Sequence, residues 1–185
     1  MSDNPFHNRA AEWELYSPLV GRTMLELGDK RNGNATYKAF FTARGYRHVS
    51  VDWNAKNGAL PLDLRVPLKL GTFDMVTNIG TTEHVDEQIG VWRNLLEAMH
   101  AGSVLVSTTP LPGDWWWHGF WHPTDAFFEE LAPRNGLQIE RLYVSGEVPR
   151  RMLMARLVRV GEVRFTMPER ALIVRNDPTI RPRPR

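Results

Sequence analysis

Several side chains in this sequence have types and spacings that can do chemistry. Three carboxylates close or follow short apolar runs: Glu26 in Leu25-Glu26-Leu27-Gly28, Asp52 in Val51-Asp52-Trp53, and Asp63 in Leu62-Asp63-Leu64. Gly28 lets the backbone pass close to a ligand beside the Glu26 carboxylate. An aspartate ending a second strand is placed to accept hydrogen bonds from ribose hydroxyls, and the indole of Trp53 offers a face to a purine. An aspartate there can equally cap a turn, and Asp63 taken alone is an acidic loop residue. His84, His118 and His122 are the imidazoles available as proton acceptors or metal ligands. Residues 115–121 hold four tryptophans and one phenylalanine. Such a run suits a lid over a planar acceptor or a stacking platform, or packing against Phe6 and Trp13.

Other chemistries are excluded. The loop Gly28-Asp29-Lys30-Arg31-Asn32-Gly33-Asn34 is neither G-x-G-x-x-G nor a P-loop, which counts against a dinucleotide pyrophosphate or a triphosphate. The chain has no cysteine, so disulfides, thiolate metal sites and a cysteine nucleophile are ruled out.

These residues need elements to carry them. Phe6, Ala10, Trp13 and Leu15 predict an amphipathic helix from Pro5 to Leu19, broken by Pro18 and Gly21. A strand follows over 23–27, a loop over 29–34, a helix over 35–44 closed by Gly45, and a strand over 48–52. After a loop over 54–67, a strand spans 73–78 and a helix 83–99, with Val85, Ile89, Trp92, Leu95, Leu96 and Met99 on one face. A strand over 103–108, a loop over 110–123 and a helix over 124–132 with Thr124 as N-cap come next. Residues 137–144 and 151–160 predict an antiparallel pair, with a further short strand at 171–175. This alternation implies one α/β domain over 1–175, a mainly parallel sheet with helices on both faces, and ligands at the carboxyl ends of the strands. The Arg/Pro tail, 176–185, is expected to be disordered.

In order, Met24-Leu25-Glu26-Leu27-Gly28, Val51-Asp52-Trp53, Leu62-Asp63-Leu64, Phe73-Asp74-Met75-Val76-Thr77-Asn78, Glu83-His84-Val85 and Gly102-Ser103-Val104-Leu105-Val106 resemble the motifs of class I S-adenosylmethionine-dependent methyltransferases. The resemblance runs over residues 22–144. It implies a Rossmann-like fold with a mainly parallel seven-stranded sheet and a terminal antiparallel pair, S-adenosyl-L-methionine as cofactor, and methyl transfer as the reaction. It also implies that Glu26 and Gly28 hold the methionine part, Asp52 the ribose, Trp53 the adenine, and Asp63 with Leu64 the adenine amino group. Asn78 and Ile79, followed by Gly80, would pass beneath the sulfonium. Lys30 stands where the family usually has its second glycine, with Gly33 further along.

Methyl transfer is an in-line displacement in which the protein mostly positions the reactants, with a base where the acceptor must lose a proton. His84 and His118 are the expected bases, with His122 a third candidate. In related quinone and small-RNA methyltransferases the Glu-His pair belongs to a Glu-x-x-Glu-His set that binds a divalent cation. Here Gly80 replaces the first Glu, and His118 and His122 are the residues that could make up the loss. The expectation is a metal-free Glu83-His84 pair that shapes the pocket and caps the following helix.

Asn/Asp-Pro-Pro-Tyr/Phe and Lys-Asp-Lys-Glu sets are missing at the matching positions, as is the cysteine needed for carbon-5 pyrimidine methylation. The expected acceptor is therefore a small molecule with an oxygen or nitrogen nucleophile. The net charge of +2 divides unevenly: residues 1–140 hold 12 Lys/Arg against 17 Asp/Glu, and residues 141–185 hold 11 Arg against 4 Asp/Glu. That basic quarter supports RNA or a phosphorylated acceptor as a second reading, beside simple solvation. A catalytically inactive binding or scaffold protein, with a loop altered at Lys30, is a third. No apolar run approaches the roughly 20 residues of a membrane span, and the first residues do not read as a signal peptide. A cytoplasmic protein without a membrane partner is expected.

Overall fold

Strand β1 (Thr23–Leu27) is apolar at almost every position because both of its faces are covered: Met24 and Leu25 are fully buried and Leu27 is 1% exposed. The computed structural model describes residues 10–28, 31–32, 35–115, 118–162, 164–169 and 172–175. Residues 5–9 of the expected first helix, Lys30, Gly33, Trp116, Trp117 and the 176–185 tail lie outside the described residues.

Beside β1, the main sheet contains β2 (Arg47–Val51), β3 (Phe73–Ile79), β4 (Met99–Pro110), β5 (Leu137–Ser145) and β6 (Met152–Arg159). Its order is β2-β1-β3-β4-β6-β5. The β1/β2, β1/β3 and β3/β4 pairings are parallel, and β6 runs antiparallel to both β4 and β5. Helices α1 (Ala10–Tyr16) and α2 (Tyr37–Thr42) cover one face, with Tyr16 and Phe41 packed over Met24, Met75 and Val106. On the other face α3 (Gln88–Glu97) and α4 (Asp125–Arg134) pack Trp92 and Phe127 over Leu25, Val76 and Leu105.

The sheet has six strands and not the expected seven, because the short strand expected at 171–175 pairs with Trp121–Pro123 in a separate two-stranded sheet. The chain begins a further parallel strand beside β2, where Leu60 N–H donates to Ser50 O at 2.8 Å and Asp52 N–H donates to Leu60 O at 3.0 Å. Pro61 has no N–H to extend the ladder. The next amide, Leu62, folds back onto Leu60 O at 2.9 Å, and the pairing ends as an isolated bridge.

Other boundaries also move for local reasons. Helix α2 starts at Tyr37, where the Thr36 hydroxyl caps Ala39 N–H at 3.0 Å, because Ala35–Thr36 pairs with Arg31–Asn32. Helix α3 begins at Gln88 and not at Glu83, since the Glu87 carboxylate accepts from Ile89 N–H and Gly90 N–H as N-cap. Residues Thr82–His84 form a separate 3-10 turn. Met99 opens β4 opposite Phe73, outside the helix. Thr124 caps α4 through Phe127 N–H at 3.2 Å. Ile173–Arg175 pairs antiparallel with Trp121–Pro123.

Arginines of the basic quarter make internal ties. Arg156, 2% exposed, bonds Glu140 at 2.6 Å and donates to Leu15 O at 2.7 Å and Pro18 O at 3.1 Å, fastening the end of α1 to the sheet. Arg151 forms a forked pair with Asp114, holding the loop after β4 and drawing the Asp114 carboxyl below its ordinary pKa. Arg141 and Arg159 donate to the carbonyls of Glu14 and Met99.

Candidate active site

The carboxyl ends of β1, β2 and β3 open into a cavity of about 660 Å³, walled by Gly28, Asp52, Trp53, Asp63, Leu64 and Ile79 among others. Gly28 is built into this end. Its N–H donates to Val51 O, its φ is +75°, and a Cβ there would lie 2.4 Å from Thr81 Oγ1. Thr81 in turn donates to Leu27 O at 2.8 Å, closing the turn after β3 onto the end of β1.

Asp52 caps a turn as well as facing the cavity: its Oδ1 accepts from Asn54 N–H at 3.1 Å. Trp53 stands 84% exposed on the cavity wall. Asp63 is gripped by Arg65, whose Nε and Nη2 reach its two oxygens at 2.8–3.0 Å. These bonds hold the Asp63 carboxyl down at about 2. Arg65 Nη1 also lies 3.9 Å from Asp86 across the same cavity wall. Sequence reasoning missed Arg65, although Asp-x-Arg in a Pro-bounded loop is a readable signal for such a local pair.

Two expected cofactor residues do not line the cavity. Glu26 alternates with Leu25 and Leu27 along β1 and so points to the α1/α2 side of the sheet. There it is fully buried 3.0 Å from His48 Nε2, whose side chain is buried as well. Asn78 is buried and holds the following turn: its Oδ1 accepts from Thr82 N–H at 3.0 Å, and its amide donates to Thr82 Oγ1 and Ser107 Oγ. An Asn followed at a short distance by Thr at a strand end is the sequence signal for this cap.

At the cavity mouth the Thr82–His84 turn meets the loop after β4. Phe120 N–H donates to Glu83 O at 2.6 Å. Gly119, at φ +69°, lies so close that a Cβ would sit 2.8 Å from Glu83 Cγ. This contact brings His118 beside Glu83 and His84: the two imidazole rings meet edge to face, centroids 4.5 Å apart. Their Nε2 atoms lie 3.5 Å (His118) and 4.0 Å (His84) from Glu83 Oε1. His84 lines the cavity. His122 is buried behind them, its Nε2 2.9 Å from His118 O, and burial lowers its pKa. Glu83 therefore does not cap α3, as expected, but presents its carboxylate to two histidines. Of the aromatic run, Trp115 donates to Arg151 O and Trp121 to Asp86 O, so these two indoles fasten the loop.

No family model matches the chain, and no curated protein matches it. Solved structures do. The N-methyltransferase NodS of Bradyrhizobium japonicum, in complex with S-adenosyl-L-homocysteine, superposes with a TM-score of 0.62 at 16% identity, over 85% of this chain and 89% of NodS. The 1,6-didemethyltoxoflavin-N1-methyltransferase of Burkholderia thailandensis gives 0.60 at 15% identity, over 83% and 78%. Magnesium protoporphyrin IX methyltransferase of Synechocystis, with bound S-adenosylmethionine, gives 0.58 at 13%, over 81% and 76%. The chain thus has the Rossmann-like α/β fold of the S-adenosylmethionine-dependent methyltransferases.

Proposed function

We propose that the chain is an S-adenosylmethionine-dependent methyltransferase acting on a small molecule through an oxygen or nitrogen nucleophile. The observation that carries this reading is the convergence of Gly28, Asp52, Trp53, Asp63, Leu64 and Ile79 on one cavity at the carboxyl ends of three adjacent parallel strands. In this reading Asp52 takes the ribose hydroxyls, Trp53 covers the adenine, and the Asp63–Leu64 wall faces the adenine edge. Gly28 gives the methionine part its close approach to the backbone. Glu26 acts from behind the strand, paired with His48. His84 and His118 receive the acceptor at the cavity mouth, where a proton is released.

Two facts favour a small acceptor over RNA. Arg141, Arg151, Arg156 and Arg159 are engaged in ties within the chain. Structures of similar fold are named for acceptors of that size, a didemethyltoxoflavin and magnesium protoporphyrin IX.

Calorimetric titration with S-adenosylmethionine and S-adenosylhomocysteine tests the reading. Binding is expected, weakened in Asp52→Ala by about 1–3 kcal/mol, the scale of hydrogen bonds to a charged group. No binding at millimolar ligand overturns it.

A further inference from the structure

We propose that Glu83, His84 and His118 form a binding site for a first-row divalent metal ion at the mouth of the cavity. Ligand atoms, one from each of the three residues, lie within 4.8 Å of one another. The 3.5 Å from His118 Nε2 to Glu83 Oε1 is too long for a good N–H···O bond, and the 4.0 Å from His84 Nε2 longer still. Both match the edges, about 3–4 Å, of a coordination polyhedron whose metal–ligand bonds are about 2.0–2.2 Å.

A second observation points the same way. Glu83 is fully buried, and among the described residues neither of its carboxylate oxygens accepts a hydrogen bond. A buried carboxylate in that state is costly unless a positive charge compensates it. The burial is imposed by the fold: Asn78 caps the turn that carries Glu83, Phe120 N–H holds its carbonyl, and Gly119 packs against its side chain. The fold thus fixes a desolvated anion and directs two imidazole nitrogens at one of its oxygens.

The donor set selects the ion. One carboxylate and two imidazoles suit zinc, cobalt, iron(II) or manganese, whereas magnesium and calcium prefer oxygen ligands throughout. His84 lines the cavity, so a molecule held in the cavity comes within reach of an ion bound there. On the methyltransferase reading, which this part of the inference rests on, the acceptor places an oxygen or nitrogen donor on the ion. An acceptor hydroxyl bound there loses its proton to solvent more readily. The ion site itself does not depend on that reading.

Cobalt(II) is the probe, titrated into the full chain after chelator treatment. One ion per chain is expected, with visible d–d absorption, displaced by zinc and not by excess magnesium. Glu83→Gln and His118→Ala should each weaken binding by about 100-fold or more, beyond the loss typical of outer-shell changes. His100→Ala, at a histidine bonded to Asp74 on another part of the chain, should leave binding unchanged. If Glu83→Gln does not fold, as judged by thermal unfolding, His118→Ala on the loop decides. No cobalt bound at millimolar concentration, or unaltered binding in the variants, overturns the site. S-adenosylhomocysteine titration of the same metal-free samples separates the two proposals. Cofactor binding without cobalt binding removes only the ion, and cobalt binding without cofactor binding removes only the methyltransferase.

Discussion

Glu83 Oε1 and His118 Nε2 lie 3.5 Å apart, one on the turn after β3 and the other on the loop after β4. Neither element would hold this geometry alone. Gly119 joins them, because only a residue without a Cβ can follow His118 at φ +69° against the Glu83 side chain.

Gly119→Ala should therefore separate the pair. The left-handed conformation and the contact at 2.8 Å together predict a loss of about 1–3 kcal/mol in stability. Denaturant unfolding measures that loss. Cobalt titration should show weaker binding in the same variant, while an unchanged midpoint and affinity would mean the loop does not seat His118.

Arg156→Ala should destabilise the chain by about 2 kcal/mol or more, since it leaves the buried carbonyl of Leu15, and the part-buried one of Pro18, without their donor. Arg156→Lys should recover only part of this, because an ammonium cannot span the same forked contacts. Chemical denaturation compares the three proteins. Equal stability of Arg156→Ala and the parent would contradict the tie.

The main strands and most cavity-wall residues were legible because parallel strands buried on both faces advertise themselves as apolar runs, and Asp52, Asp63 and Gly28 punctuate their ends. What was not legible depended on direction or on distant partners. Its place at a strand end points Glu26 to the cavity, but the two-residue period of β1 turns it toward His48. The short strand at 171–175 is visible in the sequence, yet its pairing with Trp121–Pro123 outside the main sheet depends on a partner some fifty residues away. The Glu-His pair read as a helix start because Glu87, the actual N-cap, lies a few residues downstream in the same polar stretch. The sequence offers both His118 and His122 to Glu83 and His84; that His118 takes the place, with His122 buried behind it, depends on how two loops cross, which no local pattern encodes.

Acid stability should carry the signature of Asp74. The backbone N–H of Arg22, with Thr23 and His100, favours the ionised carboxylate and lowers its pKa from 3.8 to about 2. Because the folded value is the lower one, this stabilisation is complete above pH 3.8 and is lost as pH falls through about 2. Asp74→Asn should cost about 1–2 kcal/mol near neutral pH and flatten the decline between those two values. Unfolding at a series of pH values checks both effects, and a parallel pH profile for the variant would contradict the assignment.

Arg65→Gln should return the Asp63 carboxyl from about 2 toward its ordinary 3.8, since the Arg65 hydrogen bonds are the largest cause of the shift. Carboxyl carbon shifts followed by NMR through acid titration read this directly. Both side chains are substantially exposed, so no measurable change in unfolding free energy is expected.

A crystal structure of the full chain grown with S-adenosylhomocysteine shows whether the strand-end cavity is a cofactor site. The expected result places the ribose hydroxyls on Asp52, the adenine against Trp53, and the thioether sulfur toward His84 and His118. An empty cavity at saturating ligand, or the ligand bound elsewhere on the chain, would contradict it.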